Sequence, residues 1–396
     1  MSNGKKKLLI VNNNLTTGGV QRSFVNLLHE IKDQFDVTVL VFSNSGEYRD
    51  CLPVQTRVLE GSGFLKLLGM SQVQIKSQGY LYYCARAALV LFAKVFGNRL
   101  PIRLLVRTHE KLSGFDAAVS FLHSAPEKYF YGGCNEFVLD RVNAKQKITF
   151  LHCDFLNYGG YTARSRQVYK CFDTIAAVSE GCRRSFIKAI PELAEKTYCV
   201  GNCHTYSEYI AKSGENPVEY LSDSLNIVTV ARLSVEKGIL RGVDVISRLV
   251  REGHRIKWHI IGNGAQRKEI ENRISVTGSA SFIFLYGNQE NPYRYMKNAD
   301  VFLLPSLHEA APMVFAEAKC LGLPIITTNT TSAQEMVADG KDGFVCENSE
   351  QGIYETLKDV LGNPQKLQVC REHLAGQKYS NERAVGQFHT LVNGRS

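Results

Sequence analysis

Short runs of apolar residues alternate along this chain with segments in which apolar residues recur every three or four positions. The run KKLLIVNNN (6–14) is followed by a glycine loop and then by RSFVNLLHEI (22–31), whose apolar residues have helical spacing. DVTVLVF (36–42) is the next apolar run. An uninterrupted apolar run of this length is typical of a parallel strand buried on both faces. The opening therefore predicts a β–loop–α–β unit of a doubly wound sheet.

The same alternation continues and then begins a second time at Leu225. The other predicted strands are 116–122, 147–152, 174–179, 225–232, 256–264, 280–287, 299–306 and 323–329, and helices are predicted at 242–253, 265–276 and 313–322. A polar stretch, 204–224, separates the two series and is the predicted linker. We predict an α/β fold with two Rossmann-like, doubly wound domains, residues 1–205 and 206–378. Because ligands bind beyond the carboxyl ends of such strands, we expect the domains to face each other across a deep cleft.

Composition narrows the class of protein. The chain has 396 residues, more than one hydrophobic core usually holds, and 11 cysteines. No C-x-x-C pair occurs, which predicts reduced thiols rather than a disulfide framework or a zinc site. No stretch approaches the roughly 20 apolar residues that span a bilayer, and the first apolar run is too short for a signal peptide. We therefore expect a cytoplasmic protein.

The net charge of +9 is unevenly distributed. No acidic residue occurs between Glu60 and Glu110, whereas seven basic residues lie there among aromatic and aliphatic side chains. Such a segment can rest on an anionic membrane surface, or it can be a solvated basic face on packed helices. The candidate membrane or acceptor surface within it is Arg86, Lys94, Arg99, Arg103 and Arg107.

Two glutamates, Glu309 and Glu317, stand in the apolar stretch SLHEAAPMVFAEAKCLGLP (306–324). The preceding strand ends at Ser306 and a helix is predicted to begin at Pro312 or Met313, so Glu309 lies at the strand's carboxyl edge. Carboxylates accept hydrogen bonds from sugar hydroxyls, and a helix N-terminus offers N–H groups to phosphate.

Two cations follow the first strand of the second series. Arg232 and Lys237 can both point at one pyrophosphate, although a pair of surface cations near Glu236 is the alternative. Together with the two glutamates they predict a site that holds a pyrophosphate between two groups that bear hydroxyls.

Weaker signals stand at other strand ends. Gly18 and Gly19 open the first helix, but without G-x-G-x-x-G or a Walker lysine they fit a tight turn equally well. Gly262 and Gly264 end another strand. His152 ends the strand KITFLH (147–152), where it either contacts a sugar hydroxyl or is structural. No Asp-x-Asp occurs, so we expect a reaction that needs neither a metal ion nor a cofactor.

These residues, in this order, resemble the retaining glycosyltransferases of family 4, which have the two-domain GT-B fold. The segment from Glu309 to Glu317 is similar to the donor-binding signature of that family. The resemblance implies that the N-terminal domain binds the acceptor and that a C-terminal helix of about 379–396 packs back on it, while 206–378 binds the donor. The donor is then a nucleotide diphosphate sugar, with UDP and a hexose or N-acetylhexosamine expected. The acceptor is a lipid-linked or growing bacterial surface glycan, reached peripherally at the inner face of the membrane, with no nucleic-acid partner.

The resemblance also implies a role for each site residue. Donor phosphates would be bound by Gly18, Gly19, Arg232, Lys237 and the N–H groups of Met313 and Val314, because Pro312 has none. Ribose and base would be bound by Glu317, Gly262, Gly264, Gly287 and Asn288. His152 and Glu309 would contact the sugar at the reacting centre. The alternatives are a GT-B sugar-nucleotide epimerase and a non-catalytic protein that binds a sugar nucleotide.

Overall fold

The computed structural model describes residues 4–61 and 63–394. The chain divides into two compact units. One contains the residues up to His204 together with those from Asn381 onward, and the other runs from Thr205 to Ser380.

The first unit is built on a seven-stranded parallel sheet. Its strands are β1 (Lys7–Asn12), β2 (Asp36–Val41), β3 (Arg57–Glu60), β4 (Leu112–Ser120), β5 (Val142–Leu151), β6 (Thr174–Ala177) and β7 (Thr197–Cys199), in the spatial order β3-β2-β1-β4-β5-β6-β7. Its helices are α1 (Gly19–Ile31), α2 (Gln72–Ile75), α3 (Tyr80–Phe96), α4 (Arg99–Arg107), α5 (Cys134–Arg141), α6 (Ala163–Lys170) and α7 (Glu180–Ala189). The order reverses between β1 and β4, which is the switch point where doubly wound sheets bind ligands.

The second unit repeats this plan with six parallel strands. Its helices are α8 (Tyr206–Ser213), α9 (Ile239–Arg251), α10 (Arg267–Val276), α11 (Tyr293–Met296), α12 (Met313–Cys320), α13 (Ala333–Met336), α14 (Glu350–Gly362) and α15 (Gln365–Ala375). Its strands are β8 (Leu225–Val230), β9 (Ile256–Ile261), β10 (Ile283–Gly287), β11 (Val301–Leu304), β12 (Ile325–Thr328) and β13 (Gly343–Cys346), in the order β10-β9-β8-β11-β12-β13. Here the switch point lies between β8 and β11.

The apolar runs form these strands because both faces of each sheet are covered by helices. In the second unit one core layer includes Trp258 and Val243, and the layer on the other face includes Phe302 and Phe315, all almost fully buried. Trp258 donates from its indole nitrogen to Thr229 Oγ1 at 2.9 Å, so its polar atom is satisfied inside the core. The sheets therefore present their carboxyl edges on rigid supports.

The stretch 204–224, the predicted linker, lies at the division between the units, and from Thr205 onward it belongs to the second one. α8 occupies much of its first half, and Tyr209 is fully buried. The last helix, α16 (Glu382–Asn393), belongs to the first unit, where the Phe388 ring packs edge-on against Phe35 at 6.0 Å. None of the helices within 4–61 and 63–394 is both long and apolar enough to cross a bilayer.

Candidate functional site

The switch point of the second sheet brings together two loops that are distant in sequence. One loop follows β8 and contains a short 3-10 helix, Val235–Lys237; the other follows β11. The backbone N–H of Leu307 donates to the carbonyl oxygen of Glu236 at 2.8 Å and joins the two loops directly. The side chains that they carry therefore meet at one edge of the sheet.

The ammonium group of Lys237 lies 2.6 Å from Glu309 Oε1. The side chains are 19% and 8% exposed, so this ion pair is largely shielded from water. Ser306 Oγ donates to the same carboxylate oxygen at 2.6 Å. The sequence predicted phosphate binding for Lys237 and sugar binding for Glu309 separately, and it gave no indication of their pairing or of the contact from Ser306. The pair fixes the position of a cation and of a carboxylate at the strand ends.

Arg241, which sequence reasoning missed, holds the Glu309 loop in place. From α9 its guanidinium donates to the carbonyl oxygens of Pro305 at 2.9 Å and Ser306 at 2.6 Å, and to Asn348 Oδ1 at 2.8 Å. Burial lowers the pKa of this guanidinium. In the sequence it is one basic residue of an amphipathic helix, with no motif to mark it.

Arg232 is placed differently from Lys237. Its side chain is 72% exposed and its guanidinium lies 2.8 Å from Glu236 Oε1. For Arg232 this agrees with the alternative of a surface cation near Glu236, whereas Lys237 is largely shielded from water. A long exposed arginine can reorient towards an anion at small cost, since exposed ion pairs contribute little.

The first turn of α12 lies next to the Glu309 loop in the chain. The helix begins at Met313 after Pro312, whose φ of −63° and ψ of 117° stop the helix from starting earlier. The first N–H groups of a helix, here those of Met313 and Val314, have no partner within it and favour anions. Glu317 is 6% exposed and lies one turn further along. The ribose role of Glu317 stays a prediction.

The glycines after β9 have a packing reason that needs no ligand. A Cβ on Gly262 would lie 1.9 Å from the carbonyl oxygen of Ala231, and one on Gly264 would lie 2.2 Å from that of Leu233. These residues let the loop after β9 press against the loop that bears Arg232. Gly287, at φ +70°, ends β10 and its carbonyl accepts from the N–H of Gly262 at 2.8 Å. Contacts of these glycines and of Asn288 with ribose or base stay predictions.

Gly18 and Gly19 lie at the start of α1, at the carboxyl end of β1. Gly18 has an extended backbone, and Gly19 is the first helical residue. Asn14 organises the loop before them: its Oδ1 accepts from Thr16 Oγ1 at 2.9 Å and from Gln21 Nε2 at 3.2 Å. The glycines therefore open a fixed turn, and their contact with a donor phosphate stays a prediction.

His152 directly follows β5, and a second histidine, His123, lies beyond β4. Burial lowers the pKa of His152 to about 3, with a further contribution from nearby His123, and burial lowers the pKa of His123 to about 4. Both imidazoles are therefore neutral at physiological pH and act as hydrogen-bonding groups rather than cations. His152 packs against Phe121, with 4.7 Å between ring centroids.

The basic segment forms a largely exposed surface on α3 and α4. Of the 17 residues of α3 only Ala93 is fully buried. We call the following exposed set the α3–α4 surface: Tyr80, Leu81, Leu91, Phe92, Val95, Phe96, Leu100 and Leu104, with the cations Lys94, Arg99, Arg103 and Arg107. Arg86 does not belong to it, because its guanidinium is half-buried and donates to the carbonyl oxygen of Leu67 and to Gln72.

Two doubly wound parallel sheets define the class of fold. The chain resembles Anabaena HepE, solved in complex with UDP and glucose, with a TM-score of 0.70 and 16% identity over 98% of this chain and 100% of that one. At this identity the likeness concerns the fold, and it confirms the expected GT-B-type architecture of two Rossmann-like units.

Residues 216–375 match the family of glycosyl transferases group 1. Over this segment the chain is similar to the group 1 glycosyltransferases. It is 25% identical to the capsular polysaccharide biosynthesis glycosyltransferase CapM of Staphylococcus aureus over 54% of this chain and 58% of CapM. It is 24% identical to an uncharacterized 41.2 kDa protein in the cps region of Klebsiella pneumoniae over 76% of this chain and 80% of that protein. The chain thus spans little more than half the length of CapM.

Proposed function

We propose that this chain transfers a hexose or N-acetylhexosamine from a UDP-sugar to a hydroxyl of a lipid-linked or growing bacterial surface glycan. The ion pair of Lys237 and Glu309 at the switch point of the second sheet carries the proposal. A pyrophosphate leaving group requires fixed cations and N–H donors, and sugar hydroxyls require an acceptor such as a carboxylate. The capsular role in the name of CapM and the UDP and glucose bound to HepE support the choice of substrates.

A thermal-shift panel tests the donor. We expect UDP and one or more UDP-sugars to stabilise the chain and GDP and ADP not to, since a ligand at 100 times its Kd adds about 2.7 kcal/mol. Lys237→Met should reduce the shift, whereas Lys268→Met, at an exposed cation of the same unit, should not. If no nucleotide stabilises the chain and no UDP-sugar releases UDP, the proposal is wrong.

The geometry favours retention of anomeric configuration by attack from the front face. Glu309 Oε1 accepts from both Lys237 and Ser306, and a carboxylate held by two donors is a weak nucleophile. The leaving phosphate then takes the proton of the acceptor hydroxyl while Lys237 and the first turn of α12 stabilise its charge. An NMR time course should show the product with the anomeric configuration of the donor; the opposite anomer would contradict this mechanism.

We extend the proposal to a reaction that needs no metal ion or cofactor. Lys237, Arg232 and the N–H groups of Met313 and Val314 supply positive charge and donors of the kind that a divalent ion would otherwise supply. Turnover should be unchanged by EDTA. Loss of turnover in EDTA and its recovery with Mg²⁺ or Mn²⁺ would contradict this.

The location proposed is the cytoplasmic face of an anionic membrane, with the α3–α4 surface against the lipid. That surface combines exposed aromatic and aliphatic side chains, such as Tyr80 and Phe96 at 83% and 75%, with exposed cations. Aromatic and aliphatic groups insert at the headgroup boundary, and each Lys or Arg near an anionic surface contributes about 1 kcal/mol. Charge complementarity therefore favours an anionic bilayer as the partner.

Co-sedimentation with anionic and zwitterionic vesicles tests the membrane contact. The surface variant is Lys94→Gln/Arg99→Gln/Arg103→Gln, and the control of equal charge is Arg251→Gln/Lys268→Gln/Lys297→Gln. Arg107 is left unchanged because it pairs with Asp140 at 3.3 Å. The surface variant should bind anionic vesicles about 100-fold more weakly at about 1 kcal/mol per cation, and the control should bind like the wild type. Equal binding by both triple variants would remove the membrane proposal.

A further inference from the structure

A second group of buried polar side chains lies at the switch point of the first sheet. β1 and β4 are neighbours with Val11 opposite Ser120, and β4 and β5 are neighbours with Ser120 opposite Thr149. His123 follows Ser120 by three positions, and His152 follows Thr149 by three positions. The two histidines, Asn12 at the end of β1 and Asn13 after it are therefore brought to one edge of the sheet, at the position where doubly wound sheets bind ligands.

Several polar atoms of this group lack a hydrogen-bond partner among residues 4–61 and 63–394. They are Asn12 Nδ2, both side-chain polar atoms of Asn13, His123 Nδ1 and His152 Nε2. Asn12 and Asn13 are 0% exposed and His123 is 8% exposed. Asn14, the next residue along, shows the contrast: its amide donates to the carbonyl oxygen of Gly69 at 2.9 Å, and its oxygen accepts from Thr16. Asn14 is satisfied by the protein, and its neighbours are not.

Such a cluster calls for an explanation because folded proteins satisfy nearly all buried polar atoms. The unsatisfied atoms belong to amide and imidazole groups, which are uncharged and place donors beside acceptors. A sugar hydroxyl both donates and accepts, so a sugar ring matches this set better than an anion does. The ring of His123 is also held in orientation, since it packs edge-on against Tyr158 with 4.7 Å between centroids.

We propose that His123, together with Asn13 and His152, binds an uncharged sugar ring through its hydroxyls at the carboxyl edge of β1, β4 and β5. The inference rests on the proposed function, which makes a sugar the ligand, and it adds His123 as a residue that contacts it. The sugar belongs either to the donor or to the acceptor. Both present the same hydroxyl chemistry, and the experiment separates them.

Two substitutions of His123 separate binding from packing. His123→Asn keeps a polar atom near the place of Nδ1, and His123→Leu fills similar space without one. His109→Leu is the matched control, because His109 is also a buried histidine of the first unit but its Nδ1 lies 2.9 Å from the carbonyl oxygen of Glu110. All variants are used as full chains, and their thermal unfolding is compared first.

Two binding measurements distinguish the two sources of the sugar. Saturation-transfer NMR measures the binding of methyl glycosides of glucose, galactose, mannose and N-acetylglucosamine, with and without UDP, and detects an acceptor sugar. Calorimetry measures the affinities of UDP, UDP-glucose, UDP-galactose and UDP-N-acetylglucosamine. A higher affinity for a UDP-sugar than for UDP indicates that the donor sugar is bound. Loss of one hydrogen bond in His123→Leu should weaken sugar binding about tenfold in one of the two measurements and leave UDP binding unchanged. His123→Asn and His109→Leu should both bind like the wild type.

Three results would overturn the inference. They are equal sugar binding by the wild type and His123→Leu, equal losses in His123→Leu and His123→Asn, and no sugar-dependent binding in the wild type. Failure of the proposed function gives a different result, because UDP itself then fails to bind while the glycoside measurement remains informative.

Discussion

Replacing Lys237 by methionine keeps most of the apolar length of the side chain but removes the ammonium group from Glu309. The carboxylate would then remain 8% exposed with its charge no longer paired. Removing one partner of a buried ion pair costs about 3–5 kcal/mol, and we expect about 3 kcal/mol because the Lys237 side chain retains 19% exposure. For a domain of this size the melting temperature should fall by about 6–12 °C.

The double variant Lys237→Met/Glu309→Gln separates stability from function. Removing both charges leaves no unpaired carboxylate, so most of the lost stability should return. Release of UDP from a UDP-sugar should stay at least about 100-fold below the wild type, because the group that stabilises leaving-group charge is still missing. Differential scanning calorimetry of the full chain and a coupled UDP-release assay measure the two quantities.

A melting temperature of Lys237→Met within about 2 °C of the wild type would contradict a stabilising ion pair, because it would correspond to less than about 1 kcal/mol. A double variant as unstable as the single one would contradict it as well. Recovery of turnover together with stability would show that the reaction needs neither the ammonium group of Lys237 nor the carboxylate of Glu309.

Three further predictions concern the surroundings of the site. Gly238→Ala should destabilise the chain by more than about 2 kcal/mol, because Gly238 has φ +63° and its Cβ would lie 2.0 Å from the carbonyl oxygen of Pro305. Gly278, at φ +69°, has open space around it, so Gly278→Ala should cost about 1 kcal/mol. Urea unfolding measures both losses of stability. Arg241→Gln should weaken UDP binding and lower stability by about 2 kcal/mol, because the Glu309 loop loses its hydrogen bonds to the guanidinium. Arg248→Gln, at an exposed cation of the same helix, should change both quantities little. An unchanged UDP affinity in Arg241→Gln would contradict this prediction. Burial lowers the pKa of His123 to about 4 in the folded chain, so the unfolded chain binds more protons than the folded chain between about pH 6.5 and pH 4. The free energy of unfolding should therefore fall as the pH is lowered through this range. His123→Asn should make this pH dependence, measured by urea unfolding, less steep.

The sequence predicted most central strands because each is a short apolar run bounded by polar residues. The expected strand at 225–232 is β8 at Leu225–Val230, and the run at 256–264 contains β9 at Ile256–Ile261. The strands that were not predicted, β3, β7 and β13, lie at the sheet edges and have three or four residues each. Runs this short carry too little periodicity to be distinguished from loops.

The candidate site was predictable as a set of strand ends but not as a set of contacts. Glu309 was placed at a carboxyl edge because an apolar run ends just before it and a proline and a helix follow. Its partner Lys237 lies 72 residues earlier, and Arg241, which holds the same loop, is 64 residues from Pro305. A position at a strand end determines the edge of the sheet at which a residue lies, but it does not determine which side chain that residue contacts.

Local sequence was enough to predict the two series of strands and helices, the position of Glu309 at the end of one strand, and the basic, apolar segment that forms α3 and α4. These are local properties, set by apolar periodicity, by turn residues and by charge along the chain. The folded structure was needed to establish that Lys237 pairs with Glu309, that Arg86 turns away from its basic neighbours and that His123 lies near His152. In a parallel sheet, residues that meet at one edge come from strands separated by whole helices, so their contact depends on strand order and register rather than on nearby sequence.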